Sequence, residues 1–144
     1  MERRSSIPEI EIPARLDQLA VVRSYIEQGC MELCVPDRIC WALVLAVDEL
    51  CSNIIRHGYQ GNSSGVITIR LERQGTMVIA TLCDQSPAFD PVRSDSTVPV
   101  RLSRSGHGLL LANHVATIHY QPKSDRSQGN TTTISIDLEG ASHS

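Results

Sequence analysis

Glu49 and Asn53 stand four residues apart at the end of the chain's most apolar stretch, which opens with Trp41-Ala-Leu-Val-Leu-Ala-Val47. On an α-helix that spacing puts both side chains on one face, a turn apart. A helix so apolar elsewhere is largely buried, and polar groups carried into such a place need partners. A hydrated magnesium ion carrying a nucleotide triphosphate would suit both, because magnesium takes a few protein oxygens and keeps phosphates and waters as its other ligands. Read alone, the pair fits an ordinary polar helix face better. Two downstream segments that suit the same ligand give it weight.

The 144 residues fit one domain with a sizeable core, spanning residues 1–144. Aromatic residues make up only 3% of the chain, so that core has to rest on Leu, Ile, Val and Ala. A formal net charge of -3 and the absence of a Lys/Arg cluster argue against direct nucleic-acid binding. No apolar stretch is long enough to span a bilayer, and the amino terminus lacks the apolar region of a signal peptide, so a cytoplasmic protein with no membrane partner is expected. Five cysteines without a CxxC pair or a nearby His read as reduced, mostly buried small hydrophobes.

Ile7 to Ile12 alternates like an edge strand limited by Pro8 and Pro13. Helical spacing runs from Arg15 to about Leu33, and a second helix starts at Pro36 and Asp37 and runs to about His57, with Gly58 closing it. Val66 to Glu72 and Met77 to Cys83 predict a hairpin turned at Gly75. Residues 84–103 are a long loop without periodicity, and Gly106 to about Val115 resumes a helical pattern. Ile118 to Gln121 and Thr131 to Leu138 form a last hairpin. The expected architecture is α+β, a two-layer sandwich of a mixed, mainly antiparallel sheet with helices on one face.

Asp84 ends the apolar strand Val78-Ile-Ala-Thr-Leu-Cys83. A carboxylate there could accept a hydrogen bond from a ligand amino group such as that of adenine, although an Asx turn opening the loop is the plainer reading. Ser105-Gly-His-Gly108 leads into the run at Leu109. Glycines before a helix let backbone amides approach a phosphate, and they serve equally as plain caps. The segment is neither a P-loop nor a dinucleotide-binding fingerprint. Arg93, Arg101 and Arg104 are spread along the preceding loop, where a solvated face is the simpler reading.

Together the three segments resemble the GHKL, or Bergerat-fold, ATP-binding domain, and most of all the small stand-alone anti-sigma factor serine kinases. Residues 46–59 resemble the family's first ATP box, residues 84–91 its second, usually written DxGxxFDP, and residues 106–114 its glycine-rich third. The resemblance implies ATP or ADP with Mg2+ as cofactors. It implies Asn53 as the magnesium ligand and Glu49 as the catalytic base that takes a serine's proton. Asp84 would read the adenine amino group, and Gly106, His107, Gly108 and Leu109 would line the phosphates. It further implies a homodimer whose partners are a sigma factor and a STAS-domain antagonist phosphorylated on serine. Ser86 stands where the family has Gly, so nucleotide binding is expected to be weakened or adjusted. The alternative is a protein-binding regulator modulated by nucleotide, with little or no kinase activity.

Overall fold

A computed structural model describes residues 4–60, 64–87, 108–111, 114–122 and 129–139. Seven strands form one sheet, β1 (Arg4–Ser6), β2 (Ile10–Pro13), β3 (Val66–Gln74), β4 (Met77–Asp84), β5 (Gly108–Leu111), β6 (His114–Gln121) and β7 (Asn130–Asp137). Their order is β1-β3-β4-β7-β6-β5, with β2 also paired to β3, and every described pairing is antiparallel. The helices α1 (Leu19–Glu32) and α2 (Asp37–Asn53) pack on each other and close the core. The expected α+β class, with helices laid on a sheet, is what the chain adopts.

The sheet's alternation explains the layering. Ile67, Ile69 and Leu71 on β3, Val78, Ala80 and Leu82 on β4, and Ile134 and Ile136 on β7 are buried on one face. Register places them side by side: Ile69 faces Leu82, and Ala80 faces Ile134. Val22, Ile26 and Cys30 of α1, with Leu43, Val47 and Leu50 of α2, complete this core. Trp41, counted by sequence in the apolar run, instead points outward and is 68% exposed. Among the described residues no helix is long and apolar enough to cross a membrane.

The strand expected over Ile7 to Ile12 forms only from Ile10, and a further short strand, Arg4–Ser6, pairs with β3 ahead of it. Ser6 pairs with Glu72 and Ile10 with Ile69, so one extra residue is inserted opposite β3 where Pro8 lies. The Leu71 amide left at the break donates to the Tyr25 hydroxyl of α1 at 3.1 Å, and the Leu71 carbonyl accepts the Ile7 amide at 3.3 Å. The end of α1 is secured from the sheet as well, since the Arg73 guanidinium donates to the Leu33 and Cys34 carbonyls at 2.8 and 3.0 Å.

A larger departure concerns the third sequence segment. Gly108–Leu111 is a strand paired with His114–Thr117, where a helix was expected from Gly106 to about Val115. Leu109-Leu-Leu111 is a short continuous apolar run, which periodicity does not distinguish from a buried helix segment. Tertiary pairing with β6 decides it. The five cysteines are all free thiols: Cys30 and Cys51 are buried, Cys40 and Cys83 half-buried, and Cys34 exposed at a positive φ of 59°.

Leu50 sits where α2 meets the core with no exposed surface. Leu50→Ala should lower the unfolding free energy by about 2–5 kcal/mol in urea denaturation. A loss below about 1 kcal/mol would contradict this packing.

Candidate functional site

The apolar face of α2 carries its polar stripe inward. Asn53 is completely buried at the helix end, and Glu49, one turn earlier, is partly exposed. Loss of hydration pushes the Glu49 carboxyl up from its ordinary range, the neighbouring Asp48 carboxylate adds to this, and the Arg56 guanidinium opposes it. Asp48 is itself tied to Arg23 of α1 at 2.7 Å. After Asn53 the chain widens into a π-helical turn, Ile54–Gly58, closed by the Tyr59 amide donating to the Ile54 carbonyl at 2.8 Å. Such turns are common where a helix must redirect side chains for function.

Asp84 ends β4 on the same inner face and is 2% exposed. Its Oδ1 is crowded with donors: the Ser86 amide at 3.0 Å, the Ser86 hydroxyl at 2.5 Å and the Asn130 side-chain amide at 2.9 Å. The same Asn130 amide donates to the Ser86 carbonyl at 2.8 Å. The expected Asx turn is therefore real, and it coexists with a free acceptor. Asp84 Oδ2 is buried with no hydrogen-bond partner among the described residues, and so is the hydroxyl of Thr132, which follows Asn130 by two on the same face of β7. Each such buried polar atom costs about 1–3 kcal/mol unless something fills its hydrogen bond.

Two features hold this end of the sheet in place. The Tyr59 hydroxyl donates to the Val66 carbonyl and accepts the Gln85 amide, both at 2.7 Å, which fastens the end of the first segment to the start of the second. Gly129 enters β7 at a φ of 136°, and a Cβ there would lie 2.4 Å from the Asp84 carbonyl oxygen. Asp84 also lies close enough to α2 for its charge, with that of Asp48, to reinforce burial in raising the Cys51 thiol. Asp84 thus lies within electrostatic reach of Cys51, two residues before Asn53 on α2.

Of the residues singled out by sequence, Glu49, Asn53 and Asp84 are placed by α2 and β4 as expected. Gly108 and Leu109 open β5, which touches α2, so the glycine segment reaches the right helix as a strand. A helix amino terminus at Gly108, expected to favour phosphate, is not formed. Gly106 and His107 lie outside the described residues, as do Arg93, Arg101 and Arg104. Ser86, expected to intrude on the ligand, is buried with its hydroxyl turned onto Asp84. Sequence reading missed Asn130 and Thr132.

A bound adenine would meet a fitting acceptor in Asp84 Oδ2 and a second polar atom in the Thr132 hydroxyl. No group of three or more His, Cys, Asp or Glu side chains able to hold a metal exists among the described residues. A magnesium ion held largely by phosphates needs only one or two protein oxygens, and the Asn53 side chain can supply one.

Two outcomes follow for stability. The raised Glu49 carboxyl binds its proton more tightly in the folded state, so its contribution is present below the unfolded carboxyl range and is lost as pH rises through the folded value. Glu49→Gln should therefore raise the melting temperature at about pH 7, with the gain shrinking towards about pH 4; a gain constant with pH would contradict the assignment. Gly129→Ala should lower stability by about 1–3 kcal/mol in urea unfolding, because the left-handed backbone and the Asp84 carbonyl both resist a side chain.

Residues 12–136 match the histidine kinase-like ATPase domain. A serine-protein kinase, RsbW, from Bacillus velezensis is 25% identical over 141 residues, covering 92% of this chain and 86% of its own. RsbW from Bacillus licheniformis is 24% identical over 120 residues, covering 77% and 74%. The buried Asp84 on the sheet, the Glu49–Asn53 stripe on α2 and the match across nearly the whole fold agree: the chain belongs to the histidine kinase-like ATPase domain family.

Proposed function

We propose that this chain is an ATP-binding anti-sigma regulatory factor with serine protein kinase activity, phosphorylating a STAS-domain antagonist and switching between that partner and a sigma factor. The observation that carries the reading is the buried acceptor Asp84 Oδ2, set beside the helix that bears Glu49 and Asn53. Similarity to two serine-protein kinases supports phosphoryl transfer to serine. A cytoplasmic homodimer is the setting we propose for it.

Asp84 orients the nucleobase through Oδ2, with the Thr132 hydroxyl beside it. Asn53 would hold magnesium, which when bound with ATP would offset the negative charge of the phosphates. Glu49 takes the proton of the serine hydroxyl as its oxygen bonds to the terminal phosphorus and the bond to ADP breaks. A carboxyl raised by burial is a stronger base than an ordinary one, and partial exposure leaves Glu49 open to a protein substrate. Gly106, His107, Gly108 and Leu109 are the segment we assign to the phosphates.

The strand at Gly108–Leu111 favours a second reading, a regulator whose partner affinity responds to nucleotide without useful catalysis, since among the described residues Gly108 opens a strand and not a helix that would gather phosphate. Glu49→Gln separates the two. Wild type with ATP, magnesium and a STAS-domain substrate should yield phosphoserine by mass spectrometry. Glu49→Gln should lose at least about 100-fold of that rate while keeping its nucleotide-induced thermal shift; Asn53→Ala should lose both. Nucleotide binding without transfer in the wild type would establish the regulator instead.

A further inference from the structure

We infer that Ser86 and Asn130 form a clamp that fixes the Asp84 carboxylate and thereby sets selectivity for a 6-amino purine over a 6-oxo purine. The inference rests on the nucleotide reading above and deepens it.

The geometry divides the two carboxylate oxygens into separate tasks. Three donors converge on Oδ1, two from Ser86 and one from Asn130, while Oδ2 takes none among the described residues. The clamp is closed on itself, because the Asn130 amide also holds the Ser86 carbonyl and the Ser86 hydroxyl lies 3.2 Å from the Pro87 carbonyl. Ser86, Asn130 and Asp84 are 1%, 0% and 2% exposed, so water does not compete freely for these bonds. Asp84 and Asn130 come from adjacent strands, directly opposite each other in the register, and Ser86 lies two residues past the end of β4.

A carboxylate bonded this way on one oxygen resists turning about its side-chain torsions. Oδ2 is left as a fixed acceptor that has nothing to donate. Adenine presents an amino donor at its 6-position, and hypoxanthine presents a carbonyl there. A fixed acceptor pairs with the first and is left facing the second oxygen to oxygen, a mismatch that buried sites discriminate against strongly. Loosening the carboxylate lets it swing away from a 6-oxo base and relieves the mismatch. Ser86 is in this account a positioning residue that sharpens base choice, where a glycine would leave Oδ1 with one donor fewer.

The test is the ratio of ADP to inosine diphosphate dissociation constants, measured by calorimetry with magnesium on wild type, Ser86→Ala, Ser86→Gly and Asn130→Ala. Wild type should prefer ADP, and each variant should narrow the ratio by about fivefold or more, the size expected for one lost hydrogen bond to a charged group. A merely structural role would weaken both ligands together and leave the ratio unchanged, and that result overturns the clamp. Tighter ADP binding by Ser86→Gly at constant ratio overturns it too, by marking Ser86 as an obstruction. Should Asn130→Ala fail to fold, the two Ser86 variants decide alone. No binding of either nucleotide by the wild type would overturn the nucleotide reading itself, whereas ADP binding with unchanged ratios removes only the clamp.

Discussion

A helix whose inner face is sealed into the core cannot carry a carboxamide there and a carboxylate at its edge without consequence, and the rest of this molecule follows from that constraint on α2. Ile39, Leu43, Val47 and Leu50 commit the helix to the sheet, and Asn53 is carried in with them. Glu49 stays at the edge, where desolvation makes it a better base without removing it from reach. Under the proposed kinase reading, the desolvation that comes with this packing also raises the basicity of the group assigned to take the serine proton. The same burial makes an ionised Glu49 unfavourable for folding, as expected of a group kept for function rather than stability.

The sheet meets this helix with a complementary arrangement. Along the inner row of β7, Asn130 and Thr132 precede Ile134 and Ile136, so the row changes from polar to apolar within four positions. β4 makes the reverse passage, from Val78, Ala80 and Leu82 to Asp84. The two strands are antiparallel, so their polar ends coincide, with Asp84 directly opposite Asn130. Tyr59 and Gly129 hold this end of the sheet in place, one by two hydrogen bonds and the other by leaving out a side chain.

Much of this was legible in the sequence. α2 is marked by Pro36 and Asp37 at its start and by the apolar run from Trp41, and the β3–β4 hairpin by Gly75, whose φ of 59° suits the turn. Alternation over Ile7 to Ile12 does not register the bulge near Pro8, so it does not mark the start of the strand at Ile10 or the separate pairing of Arg4–Ser6. Gly108–Leu111 was misread because three consecutive leucines satisfy helix and strand alike, and only the partner strand settles which forms. Asn130 was left outside the predicted last strand and Thr132 drew no attention. The signal was present, though, since both share the inward parity of Ile134 and Ile136 and so carry polar atoms into a core. Ser86 shows that a departure from a motif need not intrude on it: its hydroxyl is turned onto Asp84 Oδ1 and leaves Oδ2 unengaged.

The most direct test of this account is calorimetric titration of ADP with magnesium into the wild type and into Asp84→Ala. The account predicts saturable binding by the wild type and a loss of at least about tenfold in affinity when the carboxylate is removed. Equal affinity for the two proteins would contradict the assignment of the buried Asp84 oxygen as the base anchor.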